Sequence, residues 1–418
     1  MQQKTGHASA PVGGLSRTEF IALAAALMSL NALAIDIMLP GLQEIGASLG
    51  VANENHRQYV VSAYFAGMGL ALLPYGPASD RFGRRAPMIF GLVIYVIAAI
   101  GAAFATSFEA LLALRFIQGV GAASTRVIAV SMVRDRFGGR QMAETMSLIF
   151  MVFMVIPVIA PSIGQVMMLV GNWHFIFVSM GLIGAVILAW AWMRMPETLA
   201  PQDRRPFTLG SIGQAFSIVL SNRFSLLYTL ASTAVFGSLF AFINSAQQVY
   251  VGIYGLGVWF PLIFALIAGF MAISSYLNSR FVVRFGMRPL SHTALTGFAV
   301  VSGIWLVWSL FGEVPLVPFI ILFALAMFQF GWIGSNFNAI AMEPLGHIAG
   351  SASAVQGFIQ TLGGGIVGAL IGQAFDGTTT PLAAGFFGLA VLALCLVAIA
   401  ERGRLYRTTP QSTTSIND

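Results

Sequence analysis

The charged residues of this chain are confined to short clusters, and the segments between the clusters are long and apolar. Only 9% of the 418 residues are charged and 57% are hydrophobic, whereas about a quarter of residues are charged in ordinary soluble domains. So few charges cannot cover a soluble fold, and about 20 apolar residues cross a bilayer as a helix. The sequence therefore predicts a polytopic membrane protein with twelve spans, near residues 19–41, 57–78, 86–106, 109–133, 141–168, 173–195, 224–250, 257–279, 287–311, 314–342, 349–373 and 380–401.

Helices are the only regular structure that fits these segments. Lipid offers no hydrogen-bond partners to the backbone, and the segments lack the two-residue alternation of barrel strands. The longest polar interruption, residues 196–222, divides the spans six and six. We therefore expect an all-α membrane protein composed of a tail (1–18), a six-helix bundle (19–195), a linker (196–222), a second six-helix bundle (223–402) and a tail (403–418).

The cations are distributed unequally between the two sets of alternate loops. Of the 21 Lys and Arg residues, all but three lie in the set that includes the N-terminal tail; Arg57 lies in the opposite set, and Arg115 and Arg126 lie within a span. Because short cytoplasmic loops carry the excess of Lys and Arg, this bias predicts that both termini are cytoplasmic. The cations do not gather on one face, so we expect no nucleic-acid partner.

A short motif recurs at the same place in each half of the chain. Residues 80–87 read Asp-Arg-Phe-Gly-Arg-Arg-Ala-Pro after the second span, and residues 284–289 read Arg-Phe-Gly-Met-Arg-Pro after the eighth. Aligning Arg81 with Arg284 gives an offset of 203 residues, about half the chain. The sequence therefore predicts two pseudosymmetric six-helix bundles with the same orientation, the parallel repeat of one large class of transporters.

Four motifs carry a resemblance to a known family. The loop Gly76-Pro-Ala-Ser-Asp80-Arg81-Phe-Gly83-Arg84-Arg85 resembles the signature of the major facilitator superfamily between spans two and three. Arg115-Phe-Ile-Gln118-Gly119-Val-Gly121 and Ala160-Pro161-Ser-Ile-Gly164 resemble motifs of its drug/proton antiporters, although Ile156 and Gln165 replace the outer glycines of the second motif. Asp36-Ile-Met-Leu-Pro40-Gly41 is similar to the bicyclomycin/chloramphenicol-resistance subfamily of twelve-span exporters.

The resemblance implies an exporter rather than an enzyme. Members of this family export small amphipathic compounds such as antibiotics from the bacterial inner membrane, in exchange for protons, by alternating access. Implied partners are a small-molecule substrate, protons and the lipid bilayer; the proton gradient supplies the energy without a cofactor, and a monomer is the implied state. Three alternatives stay open: a proton symporter for uptake, a dedicated exporter of one endogenous metabolite, and a membrane receptor or embedded enzyme.

Asp36 and Arg115 are the expected proton-coupling pair. Charges deep in a membrane cost several kcal/mol and mark functional sites. Asp36 lies about 17 residues, or roughly 25 Å, along its helix from Glu19, and Arg115 lies roughly 9 Å from the opposite end of its span. In a core about 30 Å thick these depths agree within several ångströms, so a contact, direct or through water, is feasible. Asp36 would carry the proton and Arg115 would tune it; alternatively, Asp36 caps the first span near Pro40.

Arg126 follows Arg115 by 11 residues, about three helical turns, and so lies on nearly the same helix face. One interpretation is that Arg126 lines the substrate cavity, where it would favour neutral, hydrogen-bonding or anionic substrates over lipophilic cations. The other is that it extends toward the cytoplasmic surface or bonds a carbonyl group of a neighbouring helix.

The motif loop is expected to act in gating, because a short cytoplasmic loop cannot form a central substrate site. Asp80 can accept hydrogen bonds from Arg134 or Arg136, or meet a helix N-terminus, and so latch one conformer. The alternative, topology alone, would not require Asp80 or Gly83. The gating group comprises Gly76, Asp80, Arg81, Gly83, Arg84, Arg85, Arg134 and Arg136.

Polar and aromatic residues within the spans complete the expected cavity, since aromatic walls with a few amides suit an amphipathic molecule. For each of them helix packing is the alternative role. The sequence contains no metal-ligand cluster, so we expect no metal site. The cavity candidates are Asn31, Tyr64, Arg126, Met151, Met154, Phe236, Phe240, Asn244, Gln247, Gln329, Trp332, Asn336, Gln356 and Gln360, and the antiporter motif adds Ala160, Pro161 and Gly164.

Overall fold

A computed structural model describes residues 15–137, 139–204 and 209–406. Within these ranges every regular element is a helix, and twelve of the helical segments are long and apolar enough to cross a membrane. The predicted all-α architecture with twelve spans is therefore confirmed. The chain forms two compact units, Met1–Ile212 and Gly213–Asp418.

The first unit contains the first six spans and one short helix. Its helices are α1 (Arg17–Asp36), α2 (Leu42–Ser48), α3 (Tyr59–Phe82), α4 (Arg85–Ala102), α5 (Phe108–Arg136), α6 (Gly139–Val170) and α7 (Trp173–Arg194).

The second unit contains the last six spans, the eleventh of which is divided into two helices. After α8 (Leu209–Ser221), which joins the units, come α9 (Arg223–Gln247), α10 (Phe260–Phe285), α11 (Met287–Phe311), α12 (Leu316–Met342), α13 (Ala349–Phe358), α14 (Gly364–Gln373) and α15 (Thr380–Ala400).

Side-chain caps define where several spans begin. The hydroxyl of Ser16 accepts the Glu19 N–H at the start of α1, and the hydroxyl of Ser107 accepts the Ala110 N–H at the start of α5. The side-chain oxygen of Asn222 caps α9. Each cap satisfies a backbone donor that the first helical turn leaves without a partner.

Three spans depart from the continuous helices that the sequence predicts. The first span is helical only to Asp36 and continues as a 3-10 turn, Leu39–Gly41, where Pro40 has no N–H to donate. The seventh and eleventh spans contain π-helical turns, Gln248–Ile253 and Ile359–Gly363. The predicted linker, residues 196–222, includes the helix α8.

The same helix pairs pack together within each unit. In the first unit α1 packs against α5, α6 and α7, while α5 packs against α3 and α4. In the second unit α9 packs against α12, α14 and α15, while α12 packs against α10 and α11. The helix packing of the second unit therefore repeats that of the first, as the recurring motif predicts.

Candidate functional site

Asp36 ends α1 and lies buried inside the first unit. It is 4% exposed, and no hydrogen bond or ion pair joins its side chain to another residue in the described part of the chain. An ionised carboxylate without a partner is costly to bury. This position therefore suits a carboxyl group that carries a proton.

The antiporter motif of α6 packs against the segment that follows Asp36. A Cβ atom at Gly164 would come within 1.9 Å of the carbonyl oxygen of Ile37, so only glycine permits this approach. Ala160 is fully buried one turn earlier, and Pro161 lies within the helix. The motif residues hold α6 against the bend of the first span.

Arg115 is fully buried, and its guanidinium binds only neutral acceptors. Its Nε donates to the carbonyl oxygen of Val60 at 3.2 Å, and its Nη2 donates to that of Ala34 at 3.0 Å. Its Nη1 donates to the side-chain oxygen of Gln118 at 2.6 Å, and the guanidinium lies 4.6 Å from the ring centroid of Tyr64. Arg115 thus links α1, α3 and α5.

A direct contact between Asp36 and Arg115 is not among these bonds. The guanidinium instead binds the backbone of α1 at Ala34, two residues before Asp36. Three of its five N–H donors bind the carbonyl oxygens of Ala34 and Val60 and the side-chain oxygen of Gln118, and these bonds orient the group toward the backbone of α1 and α3.

A second polar network lies further along α1 and α5. The amide of Asn31 donates to the hydroxyl of Thr125 at 2.8 Å, and the hydroxyl of Tyr64 donates to the side-chain oxygen of Asn31 at 3.3 Å. Since Tyr64 also lies beside Arg115, these side chains form one continuous cluster across α1, α3 and α5.

Arg126 is adjacent to this cluster and is exposed, although it lies well inside α5. Neither an ion pair nor a hydrogen bond joins its side chain to any residue that the structure describes. The carbonyl contact that the sequence left open for Arg126 is therefore not formed. Of the other first-unit candidates, Met151 is exposed on α6, and the side chain of Met154 lies outside the described residues.

Arg84 is the centre of the motif loop. Its Nη1 donates to Asp80 at 2.5 Å and to the hydroxyl of Ser79 at 2.8 Å. Its Nε and Nη2 donate to the two carboxylate oxygens of Asp135, at 2.8 and 3.3 Å. Burial alone would lower the pKa of the Arg84 guanidinium, but the bonds to Asp135 and Asp80 outweigh that effect and raise its pKa, so the group stays charged.

The expected pairing of Asp80 with Arg134 or Arg136 is not observed. Arg84 is only four residues from Asp80 and occupies its carboxylate. The Nη2 of Arg136 donates to the carbonyl oxygen of Leu15 at 3.1 Å, and Arg134 is exposed.

Glu197, just beyond α7, binds the backbone of the motif loop. Its carboxylate accepts the backbone N–H groups of Arg84 and Arg85, at 2.8 and 3.2 Å. Gly83 has φ +88°, a conformation that favours glycine, and a Cβ there would come within 2.2 Å of the Glu197 carboxylate. Arg85 also donates to a carbonyl oxygen of α7, while Arg81 is exposed and a Cβ on Gly76 would meet no atom within 4 Å.

The second unit contains a related cluster at the recurring motif. Gly286 has φ +82° and ψ 162°, close to the φ 88° and ψ 168° of Gly83. Arg288 follows it and donates to Glu343 at 2.6 Å and to Glu401 at 2.8 Å. In both units, therefore, the motif is joined to the ends of the fourth and sixth spans of that unit.

The remaining cavity candidates of the second unit mainly bind neighbouring helices. The ring of Phe236 lies 6.2 Å from that of Phe240, and the Asn244 amide donates to the Phe240 carbonyl oxygen of its own helix. Gln247 is buried, and Gln329 lies against Gly297 of α11.

Four further candidates form hydrogen bonds between helices. Trp332 donates to the carbonyl oxygen of Ser274 at 3.0 Å, and Asn336 donates to Asn278 at 2.8 Å. Gln356 donates to a hydroxyl of α9, and Gln360, within the π-helical turn, donates to α9 and α12. For these residues the packing role has direct geometric support.

Sequence reasoning missed several partners of the candidate residues. Asp135 and Glu197 have only weak signals, an acid within Arg-Asp-Arg and an acid after the proline that ends the sixth span. Gln118 belongs to the motif that begins at Arg115, but the motif does not show that the two side chains bind each other, and Thr125 has no signal beyond its place beside Arg126. No group of three or more potential metal ligands occurs among the described residues.

Comparison with known proteins identifies the family. The sequence model of the Major Facilitator Superfamily matches residues 21–369. The chain belongs to this superfamily. It is therefore a multi-pass membrane transporter for a small molecule, and not an enzyme.

Relatives within the superfamily are named for drug resistance. The chain is 32% identical to a bicyclomycin resistance protein homolog of Haemophilus influenzae, over 87% of this chain and 91% of that one. It is 31% identical to the multidrug resistance protein MdtL of Citrobacter koseri, over 83% and 86%. These matches support the predicted drug/proton antiporter subfamily.

Solved structures of other superfamily members share the fold. The xylose transporter XylE of E. coli matches with a TM-score of 0.70 at 14% identity, over 90% of this chain and 96% of that one. A bacterial homolog of the human lysosomal transporter Spinster matches with a TM-score of 0.69 at 15% identity, over 94% and 99%. At these identities the likeness concerns the fold alone.

Proposed function

We propose that this transporter exports small amphipathic compounds, antibiotics among them, across the bacterial inner membrane in exchange for protons, by alternating access. Asp36 carries the proton, and no cofactor takes part. The termini and the motif loop face the cytoplasm. The chain acts as a monomer.

The burial of Asp36 without a partner is the observation that carries this proposal. A transported proton needs a site that can hold it away from water, and the uncompensated carboxyl group at the end of α1 provides one. Gly164 of the antiporter motif packs against Ile37, the residue after Asp36. A shift of α6 against α1 would therefore change the surroundings of Asp36.

Arg115 has a positioning role in this proposal. Its bond to Ala34 holds α1 directly before Asp36, and its other bonds fix α3 and α5 around it. A movement that redirected the Arg115 guanidinium from the Ala34 carbonyl oxygen to the Asp36 carboxyl group would place a positive charge beside Asp36 and favour proton release. The names of the relatives support antibiotics as the substrate class.

The test is substrate-induced proton release from inside-out membrane vesicles. Respiration acidifies the vesicle lumen, and a fluorescent amine reports the gradient. Chloramphenicol added outside should release protons through the wild type, because substrate entry is exchanged for proton exit. Asp36→Asn should abolish this release at equal protein abundance, since an amide cannot carry the proton.

Asp203→Asn is the matched control, because it removes an exposed carboxylate beyond the spans. It should behave as the wild type does. A full response from Asp36→Asn would refute the assignment of Asp36. If the proton gradient increased on addition of substrate, instead of collapsing, protons and substrate would be moving in the same direction, which would indicate symport.

A further inference from the structure

Arg126 is exposed on a helix face that is otherwise mostly buried. Of its neighbours one turn away, Ala122, Ala123 and Ala129 are buried and Val130 is half-buried. A residue on the lipid-facing surface would have exposed neighbours one turn away. The Arg126 side chain instead extends past small residues into accessible space.

The lipid-facing side of α5 lies elsewhere. Ile117, an exposed apolar residue, precedes Arg126 by nine positions, and nine residues rotate an ideal helix by about 180°. Arg115, by contrast, precedes Arg126 by eleven positions and lies within about 20° of it. Arg126 therefore belongs to the polar face of α5.

Extension through lipid to the membrane surface does not explain Arg126, because the lipid-facing side of α5 is the side of Ile117, about 180° away from Arg126. Because no described acceptor binds its guanidinium, the donors of Arg126 are available to a solute.

The charge inside the first unit is not balanced. Arg115 binds only neutral acceptors, and Asp36 is the one carboxylate well inside the spans of this unit. When Asp36 holds a proton, both guanidinium charges are uncompensated. A cation that approached Arg126 would meet this excess positive charge, whereas an oxyanion or carbonyl oxygen would meet free donors.

We propose that Arg126 contacts the transported compound and selects its charge class. It admits neutral or anionic compounds that carry carbonyl, carboxylate or other hydrogen-bond acceptor groups, and it excludes lipophilic cations. This inference rests on the proposed function in one respect: the compound that binds at Arg126 is taken to be the transported substrate.

Binding to purified protein in detergent tests the selection without any proton gradient. Equilibrium dialysis with three probes, neutral chloramphenicol, anionic nalidixate and cationic tetraphenylphosphonium, gives their relative affinities. The wild type should bind the first two at least about 10-fold more tightly than the cation. Arg126→Gln should lose this preference, gaining affinity for the cation and losing affinity for nalidixate.

Two variants complete the design. Arg126→Lys retains the charge and should continue to exclude the cation. Arg223→Gln removes an exposed cation at the start of α9 and should keep the wild-type order of affinities. A gain of cation binding by Arg126→Gln at unchanged affinity for chloramphenicol distinguishes the loss of selection from misfolding.

Two results would overturn the selection by Arg126. One is a wild type that binds the cation as tightly as the other probes, or that binds none of them. The other is an unchanged order of affinities in Arg126→Gln. Because this assay uses no proton gradient and measures no proton movement, failure here is distinct from failure of the proton-exchange test.

Discussion

Gly164 and Gly76 both belong to motifs of the first unit, yet their surroundings differ. A Cβ at Gly164 would overlap the Ile37 carbonyl oxygen, whereas one at Gly76 would meet no atom within 4 Å. We expect Gly164→Ala to destabilise the protein by about 1–3 kcal/mol, because α6 must move away from the first span. Gly76→Ala should leave the stability nearly unchanged.

Thermal unfolding in detergent would compare the two alanine variants. A transport assay on Gly164→Ala would add a functional result, because displacement of α6 changes the surroundings of Asp36. Equal melting temperatures for the two variants would contradict the close contact between Gly164 and Ile37.

Arg115 shows why single residues are easier to select from a sequence than their partners. A guanidinium within a span is conspicuous, and the sequence identified it. Two of its three acceptors are the carbonyl oxygens of Ala34 and Val60, and backbone acceptors are present at every residue. Only the packing of α1, α3 and α5 determines which carbonyl groups it meets.

At the scale of helix ends, Asp135 is expected to contribute more to stability than Asp80. Asp135 accepts two bonds from Arg84 and its side chain is 13% exposed, whereas the Asp80 side chain is 38% exposed. We expect Asp135→Asn to cost about 1–3 kcal/mol, because hydrogen bonds to charged groups weaken when one charge is removed. Asp80→Asn should cost less, since solvent screens the exposed pair.

Chemical denaturation of the two asparagine variants under identical conditions would rank them. Both substitutions keep the size of the side chain, so the comparison isolates charge. A larger loss for Asp80→Asn would contradict the central place of the Arg84–Asp135 pair.

His292, on α11, has a hydrogen-bonding pattern that fixes its protonation. The backbone N–H of Tyr406 lies 3.1 Å from its Nδ1, so Nδ1 must be the acceptor. Its Nε2 then donates to the hydroxyl of Tyr228 at 2.9 Å, and that hydroxyl donates to Glu401 at 2.7 Å. His292 is therefore neutral, and it holds the segment after α15.

Acid should release this segment. A second ring proton on His292 would face the Tyr406 N–H, so two donors would oppose each other and the bond to Tyr406 would be lost. A spin label on Leu405→Cys, in a Cys395→Ser background, should become more mobile as pH falls. Adding His292→Gln should prevent the change, because glutamine keeps an acceptor and a donor but does not titrate.

At the scale of the whole molecule, the spans and the internal repeat were predictable because few residues determine them. Bilayer thickness sets the length of an apolar segment, and the Phe-Gly pairs at Gly83 and Gly286 mark the same turn in each half. The long-range ion pairs were not predictable. Besides the local pair of Arg84 with Asp80, Arg84 and Arg288 meet acids about 50 to 115 residues away, and only the assembled helix ends show which acids.

Gly83 and Gly286, the repeated glycines of the two units, share a backbone conformation but have different neighbours. At φ near +85° an alanine is strained in either unit, at a cost of about 1–3 kcal/mol. A Cβ at Gly83 would also displace the Glu197 carboxylate, whereas the nearest atom to one at Gly286 is Pro289 Cδ at 3.8 Å. Gly83→Ala should therefore lower the melting temperature more than Gly286→Ala does, and the difference should shrink when Glu197→Gln is added to both. If the two single variants melt together, backbone strain alone governs the motif, and the contact with Glu197 contributes nothing to its stability.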